Sequence, residues 1–153
     1  MNALLFVIAN QRLPDSIVED RVNKAWRPIP AGQLTANQAR RMLLVVIPLV
    51  FVGCLCLGGM VETVAMMVQT WMYNDLGGAD EMYIVRNIIN ALGFKCYSSG
   101  STYVAAGIHT LTAQAYKWIA IVGAIVFTTL SMQDLPDVKG DAARAHDESA
   151  DDG

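Results

Sequence analysis

Two clusters of acidic residues flanked by bases stand near opposite ends of an otherwise apolar chain, N-Q-R-L-P-D-S-I-V-E-D-R-V-N-K-A-W-R over 10–27 and Q-D-L-P-D-V-K-G-D-A-A-R over 133–144. Carboxylates at such density repel one another, so they work together only around bound cations. Hard divalent ions such as Mg²⁺, which bridge carboxylate and phosphate oxygens, are the usual solution. The alternative is that both clusters are solvated loops.

The sequence between the clusters decides whether they can meet. Hydrophobic residues make up 54% of the 153, with a mean hydropathy of +0.35, above what a soluble domain needs. Met42 to Val61 carries no charge, and from Cys96 to Tyr116 the only ionisable groups are the cysteine, the tyrosines and His109. A membrane helix needs about 20 predominantly apolar residues, and both stretches qualify. Trp118 to Gln133 is a third, slightly shorter uncharged run. The net charge of −3 is dominated by the acidic tail Ala145–Gly153, which is expected to be disordered; the remainder is close to neutral, which makes no case for nucleic acid as a partner. Cys54, Cys56 and Cys96 form no metal-binding or redox spacing and read as small hydrophobes.

Along the chain, Ala3–Ala9 reads as the last turns of a helix, followed by a polar loop that Arg27-Pro28-Ile29-Pro30-Ala31-Gly32 closes. Thr35 is the expected N-cap of a helix over Ala36–Leu57, which Pro48 is placed to kink. Gly58-Gly59 is either a tight turn or a close-packing patch, after which Met60–Tyr73 forms a shorter return helix. Asn74–Asp80 is a turn by composition, Ile84–Ile108 is a polar-spotted helix with an expected break near Ser98-Ser99-Gly100, and Ala115–Met132 is the last helix. Four spans return the chain to the side it left, so both clusters face one compartment. A single long helix over 42–73 would break that parity. Arg21, Lys24, Arg27, Arg40, Arg41, Lys139 and Arg144 all fall on the cluster side, which the positive-inside rule makes cytosolic.

The run Asn10-Gln11, then Glu19-Asp20-Arg21-Val22-Asn23-Lys24-Ala25-Trp26-Arg27-Pro28-Ile29-Pro30-Ala31-Gly32, resembles the first aspartate-rich motif of the UbiA superfamily of intramembrane prenyltransferases. Gln133-Asp134, Asp137 and Gly140-Asp141 resemble the second, D-x-x-x-D. Within that superfamily, N-Q and the Y-N-D-L-G-G of Tyr73–Gly78 are most similar to fungal members, a group that includes membrane-bound terpene cyclases. The resemblance implies an all-α, multi-span transmembrane bundle of about nine helices, of which this chain supplies about four to five. It implies a multi-pass integral membrane enzyme that binds an isoprenyl diphosphate through Mg²⁺ and ionises it. The allylic cation is then transferred to an aromatic or other small-molecule acceptor, or closes on its own double bonds.

On that reading Asp20, Asp134, Asp137 and Asp141 are the metal ligands, with Glu19 a weaker candidate. Asn10, Lys24, Arg27, Lys139 and Arg144 contact substrate, the bases as diphosphate partners and Asn10 through its amide oxygen. No residue is assigned to covalent or acid-base catalysis. Arg86, Asn87 and Asn90 must point inward; either they line the cavity or Arg86 pairs with Glu62.

The sequence departs from the family pattern in two places. Gln11 stands where the first aspartate is usual, and Ser16 at the middle aspartate position, with Asp15 beside it. The chain also ends after the second motif, so the expectation is a partial domain over 1–144 with an acidic tail over 145–153. A cavity meant for nine helices is then left open and activity is low, and an inactive membrane fragment is the third functional reading.

Overall fold

The computed structural model describes residues 2–107 and 110–133. Over those residues the chain forms six helices and no strand: α1 Asn2–Gln11, α2 Pro14–Asn23, α3 Ala36–Leu57, α4 Met60–Asn74, α5 Tyr83–Ala106 and α6 Ala113–Gln133. The all-helical expectation holds for the described residues. His109, the second acidic cluster from Asp134 onward and the acidic tail lie outside them.

α3 begins as its sequence dictates. Thr35 Oγ1 accepts from the Gln38 amide at 3.2 Å, while Gln38 Oε1 accepts from the Thr35 amide at 2.8 Å, a reciprocal capping box. It ends at Gly58-Gly59, where both residues have positive φ (89° and 77°), a backbone that only glycine adopts cheaply. The result is a reversal. Cys54 Sγ and Thr63 Oγ1, nine residues apart, meet at 3.1 Å, whereas in an unbroken helix they would be separated by about 13 Å. The alternative of one long helix over 42–73 is thereby excluded, and the glycine pair is a turn.

Direction can be followed helix by helix. α1 and α4 run parallel, since Asn2 Nδ2 donates to Thr63 Oγ1 at 3.0 Å at one end and Asn10 Nδ2 to Asn74 Oδ1 at 3.1 Å at the other. α5 runs antiparallel to α4, with Gln69 Nε2 at 3.7 Å from Cys96 Sγ and Glu62 packed against Gly100. α6 runs antiparallel to α5, where Asn87 Nδ2 donates to the Phe127 carbonyl at 3.0 Å. The C-terminus of α6 therefore emerges at the end of the bundle that holds Asn10, Asn74 and the start of α5. Four consecutive helices, α3 to α6, carry the chain from the first acidic cluster back to its own side.

Three expectations change. The segment after α1 is not an open loop, because Pro14 occupies the first turn of α2 and Asp15 sits where the helix dipole favours an acid. The break expected at Ser98-Ser99-Gly100 is absent. Ser99 Oγ instead donates to the Lys95 carbonyl at 2.9 Å, so its hydroxyl is satisfied inside a continuous helix. Arg86 does not pair with Glu62, since the antiparallel register puts them at opposite ends of the bundle.

The apolar surface is turned outward. Leu44, Val45, Leu49, Val52, Leu55 and Leu57 of α3 are all more than half exposed, and the small buried set includes Leu5, Ile8, Ala39, Val50 and Ile89. Ala36–Leu57 and Ala113–Leu130 are the two described segments long and apolar enough to cross a membrane. Helices that are apolar on their exposed faces are what an apolar surrounding selects.

Gly58, with φ 89° and ψ −175°, occupies a region essentially closed to other residues, at a cost of about 1–3 kcal/mol. Gly58→Ala is expected to lower the thermal unfolding midpoint in detergent. Gly123→Ala, whose methyl would meet nothing closer than the Ala91 carbonyl at 4.0 Å, is expected to leave it unchanged or raise it.

Candidate functional site

At the end of the bundle where α1 stops, a pocket of about 300 Å³ collects polar residues from four helices and two turns. α1 contributes Asn10, α2 contributes Asp15, Ser16, Glu19 and Asp20, and the following turn adds Lys24 and Arg27. From the other side come Tyr73 and Asn74 of α4, Asp80 of the connecting turn and Arg86 of α5.

Local geometry explains why the first cluster folds onto this pocket. α2 ends with the Lys24 amide donating to the Asp20 carbonyl at 2.8 Å, and the Arg27 amide donates in turn to the Lys24 carbonyl at 2.9 Å. The R-P-I-P-A-G segment then closes on itself, with the Gln33 and Leu34 amides donating to the Pro28 carbonyl at 2.9 and 3.1 Å. This compact turn brings Arg27 back over α2. Its Nη1 donates to both Asp20 oxygens at 2.8 Å. Asp20 is 2% exposed and Arg27 28%, so the carboxylate is buried with its partner while the guanidinium reaches the pocket. Removing one member of such a pair leaves an uncompensated buried charge, at about 3–5 kcal/mol. Lys24 Nζ stands 3.9 Å from Glu19 Oε1, a looser contact.

The opposite wall is fastened by the Tyr73–Gly78 segment. Asn74 accepts from Asn10 through Oδ1 and donates to the Thr70 carbonyl at 2.8 Å through Nδ2, and Arg12 Nη2 donates to Asp75 Oδ1 at 2.6 Å. Gly78 has no room for a side chain: a Cβ there would stand 2.7 Å from the Met72 carbonyl oxygen and 2.8 Å from Ile89 Cδ1. That close approach folds the end of α4 onto α5 and sets Asp80 and Arg86 beside the first cluster.

A second, apolar pocket of about 250 Å³ lies between α1, α4 and α5, lined by Phe6, Met66, Ile89, Phe94 and Tyr97 among others. Tyr73 belongs to both pockets, and its ring lies 5.6 Å from that of Phe6. A charged recess continued by an apolar one suits a ligand with an ionic head and a hydrocarbon tail.

Of the substrate-contact residues expected from sequence, Asn10, Lys24 and Arg27 meet at the polar pocket, while Lys139 and Arg144 lie outside the described residues. Of the expected metal ligands, Asp20 is at the pocket but bound to Arg27, and Asp134, Asp137 and Asp141 lie outside the described residues. The pocket's donors toward a cation are all hard oxygens, the type Mg²⁺ prefers. Among the described residues, however, no three acidic, histidine or cysteine side chains come together tightly enough to hold a metal. The donor chemistry fits Mg²⁺. Tyr73, Asn74 and Asp80 were not foreseen as site residues. Y-N-D-L-G-G reads as a turn, and only the antiparallel register of α4 and α5 reveals that it faces the first cluster.

The model of the UbiA prenyltransferase family matches residues 12–149. The chain is 34% identical over 147 residues to fumagillin beta-trans-bergamotene synthase of Aspergillus fumigatus, covering 94% of this chain and 49% of that protein. It is 28% identical over 137 residues to somaliensene A/B synthase of Streptomyces somaliensis, covering 89% of this chain and 44% of that protein. The chain thus spans about half the length of the curated relatives it matches. No solved structure gives a significant match.

If the Arg12–Asp75 contact fastens the two walls, removing either partner loosens the same joint. A part-exposed pair of this kind is worth about 0.5–1 kcal/mol. Arg12→Ala and Asp75→Ala are expected to lower thermal stability by similar amounts, and the double variant to lose no more than either single one. Full additivity would show that the contact contributes nothing.

Proposed function

The chain belongs to the UbiA prenyltransferase family, and from that premise we propose that it binds an isoprenyl diphosphate at the two adjoining pockets and ionises it in a Mg²⁺-dependent reaction. The single observation that carries this reading is Tyr73, a wall shared by a pocket of acids and bases and a neighbouring one lined by aromatic and aliphatic side chains. The diphosphate lies against Lys24, Arg27 and Arg86, with Asn10 placed to offer its amide oxygen to a metal ion or a water beside it. The prenyl chain lies along Phe6, Tyr73, Phe94 and Tyr97.

As the bond between the allylic carbon and the bridging oxygen breaks, its electron pair leaves with the diphosphate. The growing negative charge strengthens each contact with a fixed cation more than in the ground state, which is what lowers the barrier. Bound Mg²⁺ supplies further neutralisation of the phosphate oxygens, held by carboxylates of which Asp134, Asp137 and Asp141 are the proposed contributors. The cation left behind is delocalised over a hydrocarbon frame, and aromatic faces stabilise such a charge by about 0.5–2 kcal/mol each.

Two fates of that cation divide the family's chemistry. Capture by an acceptor makes a prenyltransferase; attack by a double bond of the same chain, followed by proton loss, makes a terpene cyclase. Two observations favour the cyclase. Both relatives reported above are named as synthases of terpene products. In addition, Gln69 Oε1, on the wall of the apolar pocket, is buried without a hydrogen-bond partner, a fixed negative dipole suited to a migrating positive charge.

Membrane placement follows the same reading. α3 and α6 cross the bilayer, α4 and α5 cross beside them, and the polar pocket opens on the face that carries Arg21, Lys24, Arg27, Arg40 and Arg41, the cytosolic one. Residues 1–144 are proposed to act as one unit.

The test is product analysis of the chain in lipid nanodiscs with farnesyl diphosphate and Mg²⁺ and no acceptor. The expected outcome is slow release of pyrophosphate with a cyclic hydrocarbon, abolished by EDTA and reduced roughly 10- to 100-fold by Arg86→Gln. Product formed only when an aromatic acceptor is added would assign the transferase reaction. Absence of Mg²⁺-dependent binding of farnesyl diphosphate would leave a non-catalytic membrane protein.

A further inference from the structure

Of the described acids that line the polar pocket, Asp20 is the buried one, and both of its oxygens face Arg27. It is 2% exposed, and Arg27 Nη1 stands 2.8 Å from each of its oxygens. Mg²⁺ gives up its waters reluctantly and requires near-octahedral oxygen ligands, so a carboxylate that serves it must present lone pairs to the space the hydrated ion can enter. Asp20 presents both oxygens to a guanidinium instead. Arg27 has the opposite character. It is more than a quarter exposed, it lines the pocket, and Asp20 takes only one of its terminal nitrogens, so the guanidinium fork retains donors for an anion.

Building on the diphosphate site argued above, we infer that Asp20 is a positioning residue for Arg27 and not a Mg²⁺ ligand. The turn from Lys24 to Leu34 brings Arg27 back to α2, and the buried carboxylate locks its orientation, so that the diphosphate meets a guanidinium already ordered and already stripped of competing rotamers. Acid and arginine then form one functional unit on the phosphate side of the site. Metal binding falls to other carboxylates.

The experiment is titration of the chain in nanodiscs with inorganic pyrophosphate at a series of Mg²⁺ concentrations, followed by calorimetry. It gives two numbers, the pyrophosphate affinity at saturating Mg²⁺ and the Mg²⁺ concentration that half-saturates binding. Asp20→Asn and Arg27→Ala are expected to weaken pyrophosphate by a similar factor, roughly tenfold or more, with the double variant no weaker than Arg27→Ala. The Mg²⁺ midpoint is expected to stay within about twofold of the wild type in all three, since no metal ligand has been removed. A Mg²⁺ midpoint raised about tenfold by Asp20→Asn alone would make Asp20 a ligand and overturn the inference. Should Asp20→Asn fail to fold, Arg27→Lys decides. It is expected to weaken pyrophosphate and leave the midpoint unchanged, whereas a lowered midpoint would mean that Arg27 had been masking a metal ligand and would also overturn it. Wild-type protein that binds no pyrophosphate at any Mg²⁺ concentration would remove the diphosphate site itself, and the inference with it.

Discussion

The parity of the helical path is the constraint on which the site depends. An acidic cluster at each end of an apolar region can form one site only if the intervening helices return the chain to its starting side. The reversal at Gly58-Gly59 supplies the step that makes the count even. It is recorded in the Cys54–Thr63 contact and in the parallel course of α1 and α4. Two further antiparallel packings, α4 on α5 and α5 on α6, deliver Gln133 to the end of the bundle where Asp20 and Arg27 lie. Everything chemical in the account assumes that return.

A second constraint is charge. The polar pocket is lined by four carboxylates and three cationic side chains, and its most buried acid is already matched to an arginine. A bare anion or a bare cation would each disturb that balance, whereas a diphosphate arriving with a divalent ion brings both signs together. The neighbouring apolar pocket shares Tyr73 with it and is lined by no charged side chain. On the proposed reading, head and tail of an isoprenyl diphosphate are separated by the same helix end, α4, whose geometry Asn10, Arg12 and Gly78 set.

Helix positions were legible because the signals are local. Thr35 with Gln38 marks the start of α3, Gly58-Gly59 marks its end, and the uncharged runs mark α3 and α6. α2 was missed because the density of charge over 10–27 suggests a solvated loop and outweighs Pro14 and Asp15, which are ordinary helix-start residues. Residue types were enough to mark the first cluster as a candidate site, but the private pairing of Asp20 with Arg27 was not readable from them. Seven residues apart, they would share a face of a continuous helix but stand about 10 Å apart along it, too far to pair, and only the turn from Lys24 to Arg27 at the end of α2 brings them together. Arg86 illustrates the same limit. Its need for a partner follows from its apolar neighbours, but whether that partner is Glu62 or the polar pocket is settled only by the antiparallel register of α4 and α5.

The most direct measurement is the sidedness of the two acidic segments. Single cysteines at Ser16 and Lys139, in a background with Cys54, Cys56 and Cys96 replaced, would be exposed in sealed, uniformly oriented vesicles to a maleimide that does not cross bilayers. The account requires both to react from the same side, and both to be protected from the other. Reaction of one from outside and of the other only after the vesicles are opened would place the clusters on opposite faces, and a shared diphosphate site could not exist.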